Sequence, residues 1–170
     1  MKGEGKMRIE IHHKIGKRIC GELKEMGCTI NEKLFLLGNI FPDLNQSYIW
    51  CRHEYQHSRE FVRKKIEMLK KKPRLFSFHL GVLTHYICDY FCYPHSSGYD
   101  KGLIHHIIYE LQQKVPEKVY KTNLEIKAFS IEELDGLVKW YEDFRASIEN
   151  DESDFHIAAT VACNFLQAAY

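Results

Sequence analysis

The sequence predicts an all-α fold, a single-domain multi-helix bundle with a metal cluster in its helical core. Three observations carry that expectation. Apolar residues recur at helical spacing along most of the chain. Strand signals are weak, and only Val119 to Phe129 suggests extended chain. Finally, the longest apolar stretch, residues 75–93, contains His79, His85 and Asp89, polar groups that a core tolerates only with partners.

Each element follows from local pattern. Residues 8–26 place Ile9, Ile15, Ile19, Leu23 and Met26 on one stripe, with Gly27 as a stop. A short helix follows Thr29, runs through Glu32 to Leu37, and is broken by Gly38-Asn39-Ile40-Phe41-Pro42-Asp43. Residues 54–71 form an amphipathic helix with Phe61, Val62, Ile66 and Leu69 inward, ending before Pro73. Residues 74–92 are apolar nearly all round, as a central helix is, and Tyr93-Pro94 ends it. Residues 101–114 form the next helix, stopped by Pro116. Ser130-x-x-Glu133 is a capping box that opens a helix to Ile148. The last helix, 152–169, turns Phe155, Ala159, Ala162, Phe165 and Leu166 inward. With neither an internal repeat nor a low-complexity linker, residues 1–170 read as one domain.

The chain has 170 residues and a formal net charge of +1. A charge this close to balance speaks against sequence-independent nucleic-acid binding. The basic run Lys64-Lys65, then Lys70-Lys71-Lys72-Pro73-Arg74, reads as a solvated helix end. Six cysteines (Cys20, Cys28, Cys51, Cys88, Cys92, Cys163) form no CxxC pair. The N-terminus has no apolar signal core, so the expectation is a cytoplasmic protein with reduced thiols. The 75–93 stretch is long enough for a membrane span, but its ionisable residues favour a buried helix of a soluble domain.

Ten histidines are present, and their placement is more informative than their number. His85-x-x-x-Asp89 is followed by His95 and then by His106-x-x-x-Glu110. Residues four apart share a helix face. Each pair can thus aim both side chains at one point. Either pair alone reads equally as a structural hydrogen-bonded pair. Together, with His95 between them, they make an oxygen and nitrogen donor set suited to zinc, with iron or manganese as alternatives. His12 on the first helix, Asp43 after Pro42, and His53 or His57 at the start of the third helix are further candidates.

These residues resemble the zinc-dependent phospholipase C family, which shares its all-helical fold and three-zinc site with single-strand-specific nucleases. The likeness spans residues 8–112. It rests on His12 (HHKIG), Asp43 (FPD), His53 or His57, Leu80-Gly81 leading to His85 and Asp89, His95, and His106 with Glu110. The resemblance implies one zinc held by Asp43, His53, His85 and Asp89. It implies a second at His95, His106 and Glu110, and a third at His12 with Asp89 bridging. His53 is preferred to His57 because Ser58, Phe61 and Val62 follow it at the expected spacing. Secreted relatives complete the third site with an N-terminal Trp. No Trp stands near the start here, so two or three zinc ions are expected.

The implied activity is phosphodiester hydrolysis by an activated water. Asp43 takes the proton and Asp89 bridges metals. Near-neutral charge favours a lipid headgroup over nucleic acid as substrate. Tyr48, Trp50, Tyr55, Tyr90, Phe91, Tyr93 and Tyr99 could line either kind of site. The alternatives are a single-strand nuclease-type phosphodiesterase and a non-catalytic zinc-binding helical protein.

Overall fold

In the computed structural model, residues 9–45, 54–96, 99, 101–112, 115–117, 126–146 and 154–170 are described. They form seven α-helices: α1 (Ile9–Glu25), α2 (Glu32–Leu44), α3 (Tyr55–Lys70), α4 (Phe76–Tyr90), α5 (Gly102–Gln112), α6 (Ile131–Ala146) and α7 (Asp154–Gln167). A 3₁₀ turn, Tyr93–His95, follows α4. Residues 126–129 contain no strand, and most of the Val119–Phe129 stretch lies outside the described residues.

Helix α1 buries His12, Ile15, Ile19, Cys20 and Leu23, the stripe its spacing dictates, while Ile9 at its first turn is exposed. It ends in a Schellman arrangement. Gly27 takes φ +86°, Gly27 N donates to Lys24 O, and Cys28 N donates to Leu23 O. Helix α2 starts with Asn31, whose side chain accepts from Leu34 N at 3.1 Å. The same residue's N–H donates to Ser77 Oγ, which fixes the start of α2 against the start of α4.

The expected break at residues 38–43 does not occur. Helix α2 runs through Gly38 and Pro42 to Leu44. Proline forfeits one intrahelical hydrogen bond, but that loss is outweighed by packing. Gly38 and Gly81 let α2 and α4 cross at very close range. A Cβ built on Gly38 would lie 2.0 Å from Phe78 O, and one on Gly81 2.0 Å from Phe35 O.

Helix α4 is the centre of the molecule. Twelve of its fifteen residues are buried, and it packs against α1, α2, α3 and α7. Fifteen residues span about 22 Å at 1.5 Å per residue, short of a bilayer core. Among the described residues no helix is long and apolar enough to cross a membrane. Helix α3 closes one side with Val62, Ile66 and Leu69, and Ser58 shares a 2.6 Å hydrogen bond with Tyr90. Lys65, expected in solvent, is instead buried on the same face, its long aliphatic stem packed inward and its ammonium over the Phe61 ring. Helix α7 closes another with Phe155, Ala158, Ala159, Ala162, Phe165 and Leu166.

The capping box at α6 forms in part. Ser130 Oγ accepts from Glu133 N, but the Glu133 carboxylate reaches back to Lys127 N instead of Ser130 N. Cys20, Cys28, Cys88, Cys92 and Cys163 are buried free thiols.

Candidate metal centre

The site begins with Asp89, near the C-terminal end of the central helix and fully buried. Its carboxylate faces three imidazoles. Oδ2 is 3.4 Å from His85 Nε2, one turn earlier on α4. Oδ1 is 3.2 Å from His12 Nε2 on α1 and 3.9 Å from His95 Nε2 in the 3₁₀ turn. The rings of His12 and His85 lie face to face, 3.8 Å between centroids and 25° apart. Asp43, brought in by the last turn of α2, places Oδ1 4.0 Å from His85 Nε2, with its side chain 3% exposed. His12, Asp43 and His85 each offer one ligand atom within 4.8 Å of the others.

The protonation of His85 follows from its surroundings. Its Nδ1 lies 2.8 Å from the carbonyl oxygen of Asn39. A carbonyl can only accept, so Nδ1 carries the proton. In the neutral ring Nε2 is then an acceptor, and it faces the carboxylates of Asp89 and Asp43. Acceptors facing one another call for a proton, on the ring or on a carboxyl, or for a metal ion between them.

The donor set fits zinc. Two ligands each about 2.05 Å from a tetrahedral zinc lie about 3.3 Å from one another. The His85–Asp89 and His12–Asp89 separations, 3.4 and 3.2 Å, are of that size. The ring nitrogens of His12 are buried and meet no hydrogen-bond geometry among the described residues, although Nε2 faces the Asp89 carboxylate, an arrangement costly in a core unless a proton or a metal ion is held between the two. The contact of His85 Nδ1 with a backbone carbonyl is the outer-shell orientation that metal-binding imidazoles commonly have. Cys88 adjoins Asp89 in sequence, but burial first and the Asp89 charge second raise its pKa, which leaves the thiol protonated.

A second group adjoins the first. His95 and His106 are both buried, their rings edge to face at 4.9 Å. Tyr99 stacks edge-on to His106 and donates from its hydroxyl to Gly102 O, the first residue of α5. Asp89 thus stands between His12 and His85 on one side and His95, backed by His106, on the other.

The candidates from the sequence fall into three sets. His12, Asp43, His85, Asp89, His95 and His106 converge as described. Glu110 lies on α5 one turn after His106, with its side chain outside the described residues, and His53 lies outside them altogether. His57 is half-exposed on α3 and pairs with Glu54 at 3.0 Å. Asn39 had no place in the sequence reading, because its segment read as a helix break. Its contribution is a backbone carbonyl, and no sequence signal marks that.

Two clefts open nearby. One of about 190 Å³ is lined by Glu54, Tyr55, Gln56, His95, Ser96, Tyr99 and Glu142, and so reaches the second group. A larger one, about 700 Å³, runs along the outer face of α1 past Lys14, Lys17 and Arg18 and touches none of the converging residues. The smaller cleft is therefore the one relevant to chemistry at the centre.

A family model described as zinc dependent phospholipase C matches residues 11–150. No curated protein and no solved structure matches the chain.

Proposed function

The chain belongs to the zinc-dependent phospholipase C family, and from that membership we propose that it hydrolyses phosphodiesters with a di- or tri-zinc cluster. The observation that carries the proposal is the convergence of His12, Asp43 and His85 around the buried Asp89. His12, Asp43, His85 and Asp89 would hold metal on one side. His95 and His106, with Glu110, would hold it on the other, and His53 would complete the first set.

Zinc held there supplies Lewis-acid charge to the non-bridging phosphate oxygens and makes water more acidic. The rest is done by the chain. Asp43, almost fully enclosed, accepts the proton of the attacking water. The water oxygen bonds to phosphorus as the ester P–O bond breaks, and a phosphomonoester remains. The departing alkoxide takes a proton from solvent to leave as the alcohol, and Asp43 returns its proton to solvent. Asp89 keeps the imidazoles on its two sides at fixed distances. Asn39 holds the His85 ring in the tautomer whose Nε2 faces the centre.

The small cleft favours a lipid-type headgroup over single-stranded nucleic acid. Glu54 and Glu142 make its lining acidic, which repels a polyanion, while Tyr55 and Tyr99 suit a cationic headgroup.

Metal content per chain tests the reading, together with hydrolysis of a choline phosphodiester and of single-stranded DNA. Two or three zinc ions and choline-ester cleavage are expected, both reduced in Asp89→Asn. Absence of bound metal after zinc reconstitution would overturn the assignment. Zinc binding with no turnover of either substrate would identify a non-catalytic zinc protein, and DNA cleavage alone a nuclease.

A further inference from the structure

We propose that Asp154 is a positioning residue for the His95/His106 half of the centre, so that α7 is part of the functional unit. Residue 154 lies beyond the matched segment 11–150, and the sequence reading gave it no role. The inference rests on the zinc hydrolase reading above.

Asp154 is completely buried at the start of α7. Its Oδ2 accepts from the backbone N–H of Tyr93 at 2.7 Å, at the first residue of the turn that carries His95. The same oxygen accepts from the hydroxyl of Tyr109, three residues after His106 on α5. One carboxylate oxygen therefore ties together the two segments that supply His95 and His106. Those segments are otherwise joined by a stretch in which only Ser96, Tyr99 and Lys101 are described.

Arg145, from the end of α6, neutralises the buried charge. Its Nε lies 3.9 Å from Asp154 Oδ1, its side chain is 3% exposed, and its guanidinium sits 4.7 Å above the Tyr93 ring. A buried carboxylate with two hydrogen-bond donors and a cation at hand is a costly arrangement to maintain for stability alone. Tyr93 also packs edge-on against Tyr99 and Tyr109. The network thus fixes the backbone of the turn and the rotation of α5, and with them the mutual placement of the two imidazoles. Groups hydrogen-bonded directly to metal ligands alter metal affinity by roughly 10–100-fold when removed, and Asp154 acts one bond further out, through the backbone of the turn and through α5.

The test is zinc titration of the full chain against a chromophoric chelator, with histidine-ring NMR to report which imidazoles respond. Wild type, Asp154→Ala and the milder Tyr109→Phe are compared, with circular dichroism to confirm folding. Tyr109→Phe removes one hydroxyl and settles the matter if Asp154→Ala does not fold. The expected result is a zinc site at His95 and His106 roughly tenfold weaker in Asp154→Ala, the low end of the direct-partner range, and a smaller loss in Tyr109→Phe. Zinc-induced shifts at His12 and His85 stay as in wild type. Unchanged affinity at both sites in both variants would overturn the proposal and leave the hydrolase reading standing. Equal weakening at both sites, in step with lost thermal stability, would also overturn it, since that is the mark of a merely structural residue. If wild type itself bound no zinc, the hydrolase reading would fail and this proposal with it.

Discussion

The tight crossing of α2 and α4 makes Gly81→Ala the most informative single change in the fold. A Cβ at Gly81 would sit 2.0 Å from Phe35 O and 2.8 Å from Asn39 N, both backbone atoms that cannot rotate away. Carbon–oxygen contacts normally lie near 3.3 Å, so the helices would have to part by roughly 1.3 Å. Overpacking of this kind costs about 1–3 kcal/mol. The same displacement carries Asn39 away from His85, stretching a 2.8 Å hydrogen bond beyond use at a further cost of about 1 kcal/mol. Alanine regains up to about 1 kcal/mol of helix propensity, leaving a net loss near 2 kcal/mol. Gly21→Ala on α1 is the control, since its Cβ would meet nothing within 4 Å. It is expected to stabilise by up to about 1 kcal/mol. Urea denaturation midpoints give the stabilities, and zinc titration gives the consequence for the site. Gly81→Ala with a wild-type midpoint and wild-type zinc affinity would refute the idea that this crossing sets the ligand geometry.

Three further outcomes are expected. Burial holds the Lys65 ammonium below its ordinary value of 10.5, so just below that pH the unfolded chain binds more protons than the folded one. Lys65 should therefore contribute a gain in stability as pH rises through that range, opposed by the buried thiols, whose raised pKa values cost stability over the same range. Lys65→Met should remove the Lys65 part, and the difference between wild-type and variant urea midpoints from pH 8 to 10 isolates it. Burial also raises the Cys163 thiol to about 12 and Cys88 further, so neither should be alkylated by iodoacetamide at pH 8 until urea opens the fold, as peptide mass spectrometry can establish. Zinc at a hundredfold over its dissociation constant should stabilise the fold by about 2.7 kcal/mol per site, and chelation should remove that gain, which thermal scans would show.

What the sequence made legible was local arithmetic. His85 and Asp89 could be paired by counting, because a spacing of four puts both on one helix face, and their apolar surroundings marked α4 as central. The continuation of α2 through Pro42 was not legible. It depends on two glycines 43 positions apart in sequence meeting across helices, and neither helix announces its partner. The same limit hid Asn39, whose contribution to His85 is a main-chain oxygen. The capping box was readable as a helix start, but Glu133 found Lys127 N instead of Ser130 N, because the chain entering α6 folds back over the first turn. Asp154 was out of reach altogether. Its partners are 61 and 45 residues away, and an Asp near a helix start has a sufficient local explanation.

The two sides of the centre are held by different physics. His85 and Asp43 take their positions from α4 and α2, where backbone meets backbone across the glycine crossing. A packed core of that kind resists deformation because every displacement opens a void or forces a clash. His95 and His106 take theirs from a short turn and from α5, which Asp154 joins through directional hydrogen bonds, each of modest net worth. A steric lesion at Gly81 and a polar lesion at Asp154 should therefore act on different imidazoles and combine additively, as independent sites do. Asp89 is the exception. One oxygen faces both His12 and His95 and the other faces His85, so no substitution there can be confined to one side.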